Sequence, residues 1–339
     1  MNTTRREFLS NAALLSVGGL LTSAGAVSLA DDAPTPAPLP PSPIQFPPVA
    51  AKDVKYMLNF HRGGGNSRPE NTLETFLWAW NLGAFPECDV QFTKDGIPVC
   101  FHDGKLGRIL KHETDEVKNK TVHDLTWDEV RRLDVGKYKG DQFSPEYMPT
   151  LESVFAAMKG SPERILYIDE KGLSRSQAEL IAQLVRAYGL QKQAFYTSGS
   201  YKKILEWNDI IPDGCGMHWM GIVWGKFSPE DLERRFEEFR ANNFRGMTHL
   251  NCHIQTDLSK EDPFTPSSAK LKEMNKECAD RGIVFQVISW SNADKLETYK
   301  RLLDLGITSF ATDYPEVLIE AVYGGEAPLP TRAAARNVL

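Results

Sequence analysis

Two carboxylates one residue apart, Glu87 and Asp89, stand in an apolar run that reads as a strand. Strand side chains alternate between faces, so these two emerge together while Cys88 points the other way. Neighbouring like charges are costly to bury and need a cation, a shared proton or an opposite charge. Their oxygens suit a hard divalent ion. Ile168-Asp169-Glu170-Lys171 supplies a second alternation. Asp169 and Lys171 share a face, and Glu170 faces away unless the strand has already ended, so the identity of a third carboxylate stays open between Asp169 and Glu170. His61 and His102 each close a strand-like run, and Arg62 follows His61. Imidazole titrates near neutrality and suits proton transfer. A guanidinium fork suits a phosphate.

Each feature also has a plainer reading. A strand-end histidine is more often a hydrogen-bonded structural residue, and an isolated Glu-x-Asp pair is usually a solvated sheet face. The combination carries the argument, because buried charges need partners and here the partners all fall at strand ends. The turn signal Lys94-Asp95-Gly96 strengthens it. A short hairpin there pairs Asp89 with Phe101 and Cys88 with His102, which brings His102 to the carboxylates.

The elements that must position these groups alternate. Strands are predicted at 56–60, 87–93, 97–101, 165–168, 194–197, 214–217, 246–250, 284–287 and 309–311. Helices are predicted at 70–82, 176–188, 229–242, 267–281 and 294–305, from apolar residues at spacings of three and four. Such alternation over residues 52–323 predicts an α/β domain with a parallel sheet. No Gly-x-Gly-x-x-Gly follows a strand, so a closed barrel is preferred to a doubly wound sheet.

The chain has 339 residues and a net charge of −6, which argues against a nucleic-acid partner. Its five cysteines are scattered with no C-x-x-C pair, so neither a zinc knuckle nor a dense disulfide framework is expected. Residues 1–30, with Arg5-Arg6 ahead of an uncharged, mostly apolar run, read as a twin-arginine export signal cleaved near Ala30. No stable membrane span is expected after cleavage, and the mature protein is expected in the periplasm or outside the cell. Residues 31–51 form a linker, with eight of the 21 prolines between Asp32 and Pro48. Residues 324–339 read as a flexible tail.

His61-Arg62-Gly63, Pro69-Glu70-Asn71-Thr72, Glu87-x-Asp89, Thr93-Lys94-Asp95-Gly96 and His102-Asp103 closely resemble the N-terminal signature of glycerophosphodiester phosphodiesterases. Leu125-Thr126-Trp127, Pro149-Thr150-Leu151-Glu152, Asp169-x-Lys171, Trp290 and Thr312-Asp313-Tyr314-Pro315 resemble later landmarks of that family. The resemblance implies a TIM (β/α)8 barrel of the PLC-like phosphodiesterase type. It implies one divalent ion, Ca2+ or Mg2+, on Glu87, Asp89 and Asp169, an acid-base pair in His61 and His102, and phosphate binding by Arg62 and Lys171. Glu70 would support the site through His61 or a metal-linked contact, and Trp290 would also support it. The implied substrate is a small phosphodiester, cleaved to glycerol 3-phosphate and an alcohol.

The sequence departs from the family pattern in three places. Asp169 stands where the family more often has glutamate, Arg108-Ile109-Leu110 does not reproduce an Arg-Thr-Thr segment, and Trp290-Ser291-Asn292-Ala293 is a loose version of Trp-Thr-Val-Asn. The last two touch loops expected to meet the alcohol. A lysophospholipid or an envelope polymer is therefore an alternative substrate, with Trp219, Trp224, Phe227 and Trp290 as a candidate apolar wall. A glycoside hydrolase would also use paired carboxylates, but has no need of two histidines with Arg62 and Lys171. A non-catalytic barrel that binds a phosphorylated ligand is the remaining alternative.

Overall fold

The structure is a computed structural model that describes residues 55–221, 228–290 and 295–324. The expected leader, the linker and all of the expected tail beyond Gly324 lie outside the described residues, as do Trp224, Phe227, the Ser291-Asn292-Ala293 run and the side chain of Trp290.

Ten strands are described: β1 Met57–Phe60, β2 Phe85–Phe92, β3 Pro98–Cys100, β4 Leu166–Glu170, β5 Ala194–Ser198, β6 Cys215–Gly221, β7 His249–Thr256, β8 Phe264–Thr265, β9 Val284–Trp290 and β10 Ser309–Thr312. Parallel pairing runs β1-β10-β9-β7-β6-β5-β4-β2, and β1 also pairs with β2 through Asn59 and Phe85, so the eight parallel strands close into a ring. Helices Leu73–Asn81, Arg175–Tyr188, Tyr201–Ile210, Pro229–Ala241, Ser268–Ala279 and Leu296–Asp304 connect successive strands of that ring. This is the (β/α)8 barrel that the alternation predicts.

β3 is antiparallel to β2, with Val90 opposite Cys100 and Phe92 opposite Pro98. The register continues to Phe101, whose N–H donates to the Asp89 carbonyl at 2.9 Å, the pairing read from the Lys94-Asp95-Gly96 turn. One strand is displaced from its expected place. Residues 246–250 were expected to pair, but β7 begins at His249 because Gly246 is in a left-handed turn (φ 81°), and the strand then runs on to Thr256. Helices Asp115–Asn119, Trp127–Val130, Leu151–Met158, Tyr201–Ile210 and Pro315–Tyr323 were not predicted; several are too short to show a periodicity.

The main core lies between the strands and the surrounding helices, where Leu58, Phe60, Phe76, Ile168, Tyr196 and Phe310 are buried. A smaller apolar layer fills the barrel interior with Phe85, Ile165, Tyr167, Phe195, Cys215 and Met217. The segment between β3 and β4 builds a core of its own from Val99, Phe101, Leu106, Ile109, Leu110 and Val122. All five cysteines are buried and free. Local starts are specified by capping. Thr72 accepts from the Thr75 N–H to open one helix, and Ser174 and Gln177 form a reciprocal capping box for another.

One buried charge makes the fold sensitive to pH. Glu146 is 3% exposed, and burial pushes its carboxyl up to about 7, with the Thr72 hydroxyl and Arg68 offsetting only part of that cost. Because the folded protein holds this proton more tightly than the unfolded chain, stability falls as pH rises from the ordinary glutamate range through about 7. Each unit of difference corresponds to about 1.4 kcal/mol. Glu146→Gln is expected to melt above the wild type at pH 8 and to lose that advantage at pH 5. An equal difference in Tm at both pH values would show that Glu146 does not carry the effect.

Candidate functional site

The first strand ends at Phe60 and turns at once, and Arg62 takes a left-handed conformation (φ 53°, ψ 26°) that side chains rarely adopt. That turn aims the Arg62 backbone N–H at Glu87 Oε2, 2.7 Å away. Asn71 is left-handed as well (φ 57°). Its amide makes a two-way contact with Asp89, donating to Oδ2 at 2.7 Å and accepting from the Asp89 N–H at 2.9 Å. Strain of this kind persists where surrounding contacts fix it, and here both residues hold a carboxylate of β2.

One oxygen each from Glu87, Asp89 and Asp169 lie within 4.8 Å of one another. The strands bring them together directly, since Asp89 and Asp169 are paired in the β2–β4 register. Lys171 Nζ lies 2.8 Å from Asp89 Oδ1 and 2.5 Å from Asp169 Oδ2. Asp169 Oδ1 also accepts from Thr197 Oγ1 at 3.0 Å and from the Trp219 indole N–H at 2.9 Å. Glu170 points elsewhere, to Ser198, Lys203 and the Leu173 N–H. The alternation read from the sequence therefore holds: Asp169 joins the cluster and Glu170 does not.

Burial pushes the Glu87 carboxyl well up, and the neighbouring Asp89 charge adds to it. Asp89 is driven the other way. Burial opposes its charge, but Lys171, His102, Arg62 and His61 together hold it ionised. Both imidazoles are thus close enough to act on Asp89. His61 Nδ1 is 2.7 Å from Asp313 Oδ1. Burial works against the charged ring, yet the Asp313 hydrogen bond and charge, with help from Glu87, raise it to about 9. His102 Nδ1 is 2.7 Å from Asp103 Oδ1.

Glu70 was expected to support the site through His61 or a metal-linked contact, and the first of these is not what the structure has. It does not reach His61, which is held by Asp313. Glu70 instead accepts from Arg62 Nη1 at 3.2 and 3.3 Å and from Arg108 at 2.6 and 2.8 Å, because Arg62 turns back over the Pro69-Glu70-Asn71 loop. The Glu70 N–H donates to Tyr138 Oη at 2.9 Å. Of the proposed aromatic wall, Trp219 is seen and stacks on His253 with ring centres 5.3 Å apart. A Cβ at Gly199 would come within 2.7 Å of the Trp219 ring, so glycine there makes room for it.

Several contributors were given no role in the site from the sequence: Asp313, Asp103, Asn71 and Arg108, which appear there only within motifs, and Thr197, which was not named. Asp103 and Asp313 each carry a usable signal, an acid adjoining a strand-end histidine or closing a final strand. Arg108 carries only its place in the segment compared with Arg-Thr-Thr, and Thr197 carries none, because their partners are set by the meeting of distant segments. A buried group of hard oxygen donors beside two carboxylate-held imidazoles, an arginine and a lysine can take a divalent cation and an anionic ester together.

Comparison with known proteins agrees with this chemistry. The Glycerophosphoryl diester phosphodiesterase family pattern matches residues 61–192. A glycerophosphodiester phosphodiesterase of Caldanaerobacter subterraneus subsp. tengcongensis is 26% identical, over 80% of this chain and 100% of its own length. A human lysophospholipase D is 28% identical, over 79% of this chain and 86% of its own. Among solved structures, an Oleispira antarctica phosphodiesterase in complex with the product sn-glycerol-3-phosphate shares the fold, with a TM-score of 0.58 and 21% identity, covering 78% of this chain and 96% of that one. The family match falls on the segment that supplies His61, Arg62, Glu87, Asp89, His102, Asp169 and Lys171, so the residues of the site lie where this chain is similar to the glycerophosphoryl diester phosphodiesterase family.

Proposed function

We propose that the protein hydrolyses glycerophosphodiesters to glycerol 3-phosphate and an alcohol at this mouth. The observation that carries the reading is the meeting of two imidazoles, each held at Nδ1 by a carboxylate, with the Glu87, Asp89 and Asp169 cluster and its two cations. Engagement of Nδ1 assigns proton exchange to Nε2 in both rings. One ring accepts the proton of the attacking hydroxyl, and the other gives a proton to the departing alkoxide. His61, raised to about 9 by Asp313 against the cost of burial, is suited to the acid role. Arg62 and Lys171 face the charge that builds on the phosphoryl oxygens.

The donor set fits a divalent ion. Three carboxylates lie within reach of one cation, and burial beside Asp89 drives Glu87 toward its protonated form, a tendency that a bound cation reverses. Glu87, Asp89 and Asp169 would hold the ion, which when bound supplies charge neutralisation at the phosphoryl group. Calcium and magnesium are the proposed ions on the grounds of oxygen ligation.

A second reading is favoured by the human relative named lysophospholipase D. The same site would then take a lysophospholipid. Export through the twin-arginine route is proposed from Arg5-Arg6 and the apolar run behind them. No helix among the described residues is long and apolar enough to cross a membrane.

Choline release from glycerophosphocholine and from lysophosphatidylcholine, the first leaving glycerol 3-phosphate and the second its acylated form, with and without a chelator, tests the activity and ranks the two substrates. Absence of turnover on both, across calcium, magnesium and manganese, would overturn it. His61→Ala and His102→Ala are each expected to lower kcat at least ~100-fold with the fold retained, and a near-normal rate in either would remove that ring from the reaction. Glu87→Gln is expected to abolish the rise in Tm that calcium or magnesium gives the wild type, while the metal-free variant melts no lower than the metal-free wild type. Equal metal-induced shifts in the two proteins would exclude Glu87 as a ligand.

A further inference from the structure

Arg108 has no part in the reaction as described, yet its guanidinium lies between both halves of the site. Its stem is fixed, because Leu106, Ile109 and Leu110 on either side are buried in the small core beneath the β3–β4 segment. Its head is 43% exposed. Nε and Nη2 lie 2.5 and 3.0 Å from Asp103 Oδ2 and Oδ1. Nη1 and Nη2 lie 2.8 and 2.6 Å from Glu70 Oε2 and Oε1. Asp103 Oδ1 is the atom that meets His102 Nδ1, and both Glu70 oxygens meet Arg62 Nη1.

We infer that Arg108 is a positioning residue that fixes the His102 imidazole and the Arg62 guanidinium relative to each other by clamping Asp103 and Glu70. The inference rests on the phosphodiesterase reading for its kinetic consequence, but not for its geometry. Asp103 and Glu70 are like charges joined by one group, and without it Asp103 keeps only His102 and Glu70 only Arg62 as side-chain ion partner, with nothing to fix one pair against the other. A guanidinium presents five donors in a rigid fork and can engage two carboxylates bidentately, whereas an ammonium is a point charge that cannot reproduce the planar geometry. Lysine at 108 is therefore a poor substitute despite equal charge. Because the head is half exposed, a small guanidinium ion from solvent can reach the gap left by truncation.

The test uses the full chain in three forms, wild type, Arg108→Ala and Arg108→Lys, with circular dichroism to establish folding. Arg108→Ala is expected to lose kcat on the order of 10- to 100-fold with KM for glycerophosphocholine little changed, and Arg108→Lys to recover only a minor part. Millimolar guanidinium is expected to restore turnover to Arg108→Ala and to leave His102→Ala inactive. A second readout needs no substrate. The downfield proton resonance of His102 Nδ1–H, assigned by its loss in His102→Ala, is expected to shift or broaden in Arg108→Ala while that of His61 persists. A rise in KM with kcat intact would make Arg108 a substrate contact and overturn the inference, as would an unchanged His102 resonance together with unchanged kcat. If the wild type turns over no glycerophosphodiester, the functional reading fails, and the resonance alone decides the positioning. Should Arg108→Ala not fold, Arg108→Gln carries the same measurements.

Discussion

Three carboxylates drawn together at the end of a barrel are the constraint from which the rest of the site follows. Glu87, Asp89 and Asp169 come from two adjacent strands whose register sets Asp89 opposite Asp169, so the backbone pairing of the barrel forces the repulsion. Lys171 answers it from the residue that follows that strand, two on from Asp169, where the two-residue period still returns its side chain to the same face. Arg62 answers it from the first strand's turn, with its N–H toward Glu87 and its side chain 3.8 Å from Asp89. The left-handed backbone of Arg62 and Asn71 is then intelligible. A relaxed turn would direct the Arg62 N–H and the Asn71 amide elsewhere, and two buried carboxylates would lose their donors.

The same constraint explains why the histidines are held as they are. A ring beside ionised Asp89 that rotated freely would simply pair with the carboxylates. Asp313 and Asp103 prevent this by engaging Nδ1. A Cβ at Gly65 would come within 2.6 Å of the Asp313 carbonyl oxygen, and Gly65 is itself left-handed (φ 47°). The loop after the first strand must therefore pass tightly against the residue that holds His61, which ties the first and last strands of the barrel at the active mouth.

What could be read in the sequence was what depends on short-range periodicity. The Glu87-x-Asp89 face, the Asp169 and Lys171 face, and the hairpin register at Lys94-Asp95-Gly96 are each fixed by the two-residue repeat of a strand or by a turn, and the structure has all three. Glu70 shows the limit. Its partner was sought in His61 or a metal-linked contact, whereas its shortest side-chain contacts are with Arg108, 38 residues away. Asp313 lies 252 residues from His61, and no local pattern could join them, although closure of the first strand onto the last makes them neighbours. The core beneath the β3–β4 segment was missed because its helices are only four or five residues long, too short for a periodic signal.

The charges at the mouth form an alternating line: His102, Asp103, Arg108, Glu70, Arg62, Asp89, Lys171 and Asp169 follow one another through contacts between 2.5 and 3.8 Å. From Arg108 to Lys171 each member has a partner of opposite sign on both sides. Such a line is weak evidence for stability, since desolvation of the buried members offsets much of the attraction. Its effect is on geometry. Removing a member leaves two like charges facing one another, so the cost is felt by neighbours rather than only at the altered residue. The line also crosses from the β3–β4 segment, which supplies Asp103 and Arg108, through the loop that carries Glu70, to the barrel strands of Asp89 and Asp169 and to Lys171 at the end of the second. It is therefore the device by which a separately cored segment is held in register with the barrel, and through which His102 and the carboxylate cluster are set as one unit.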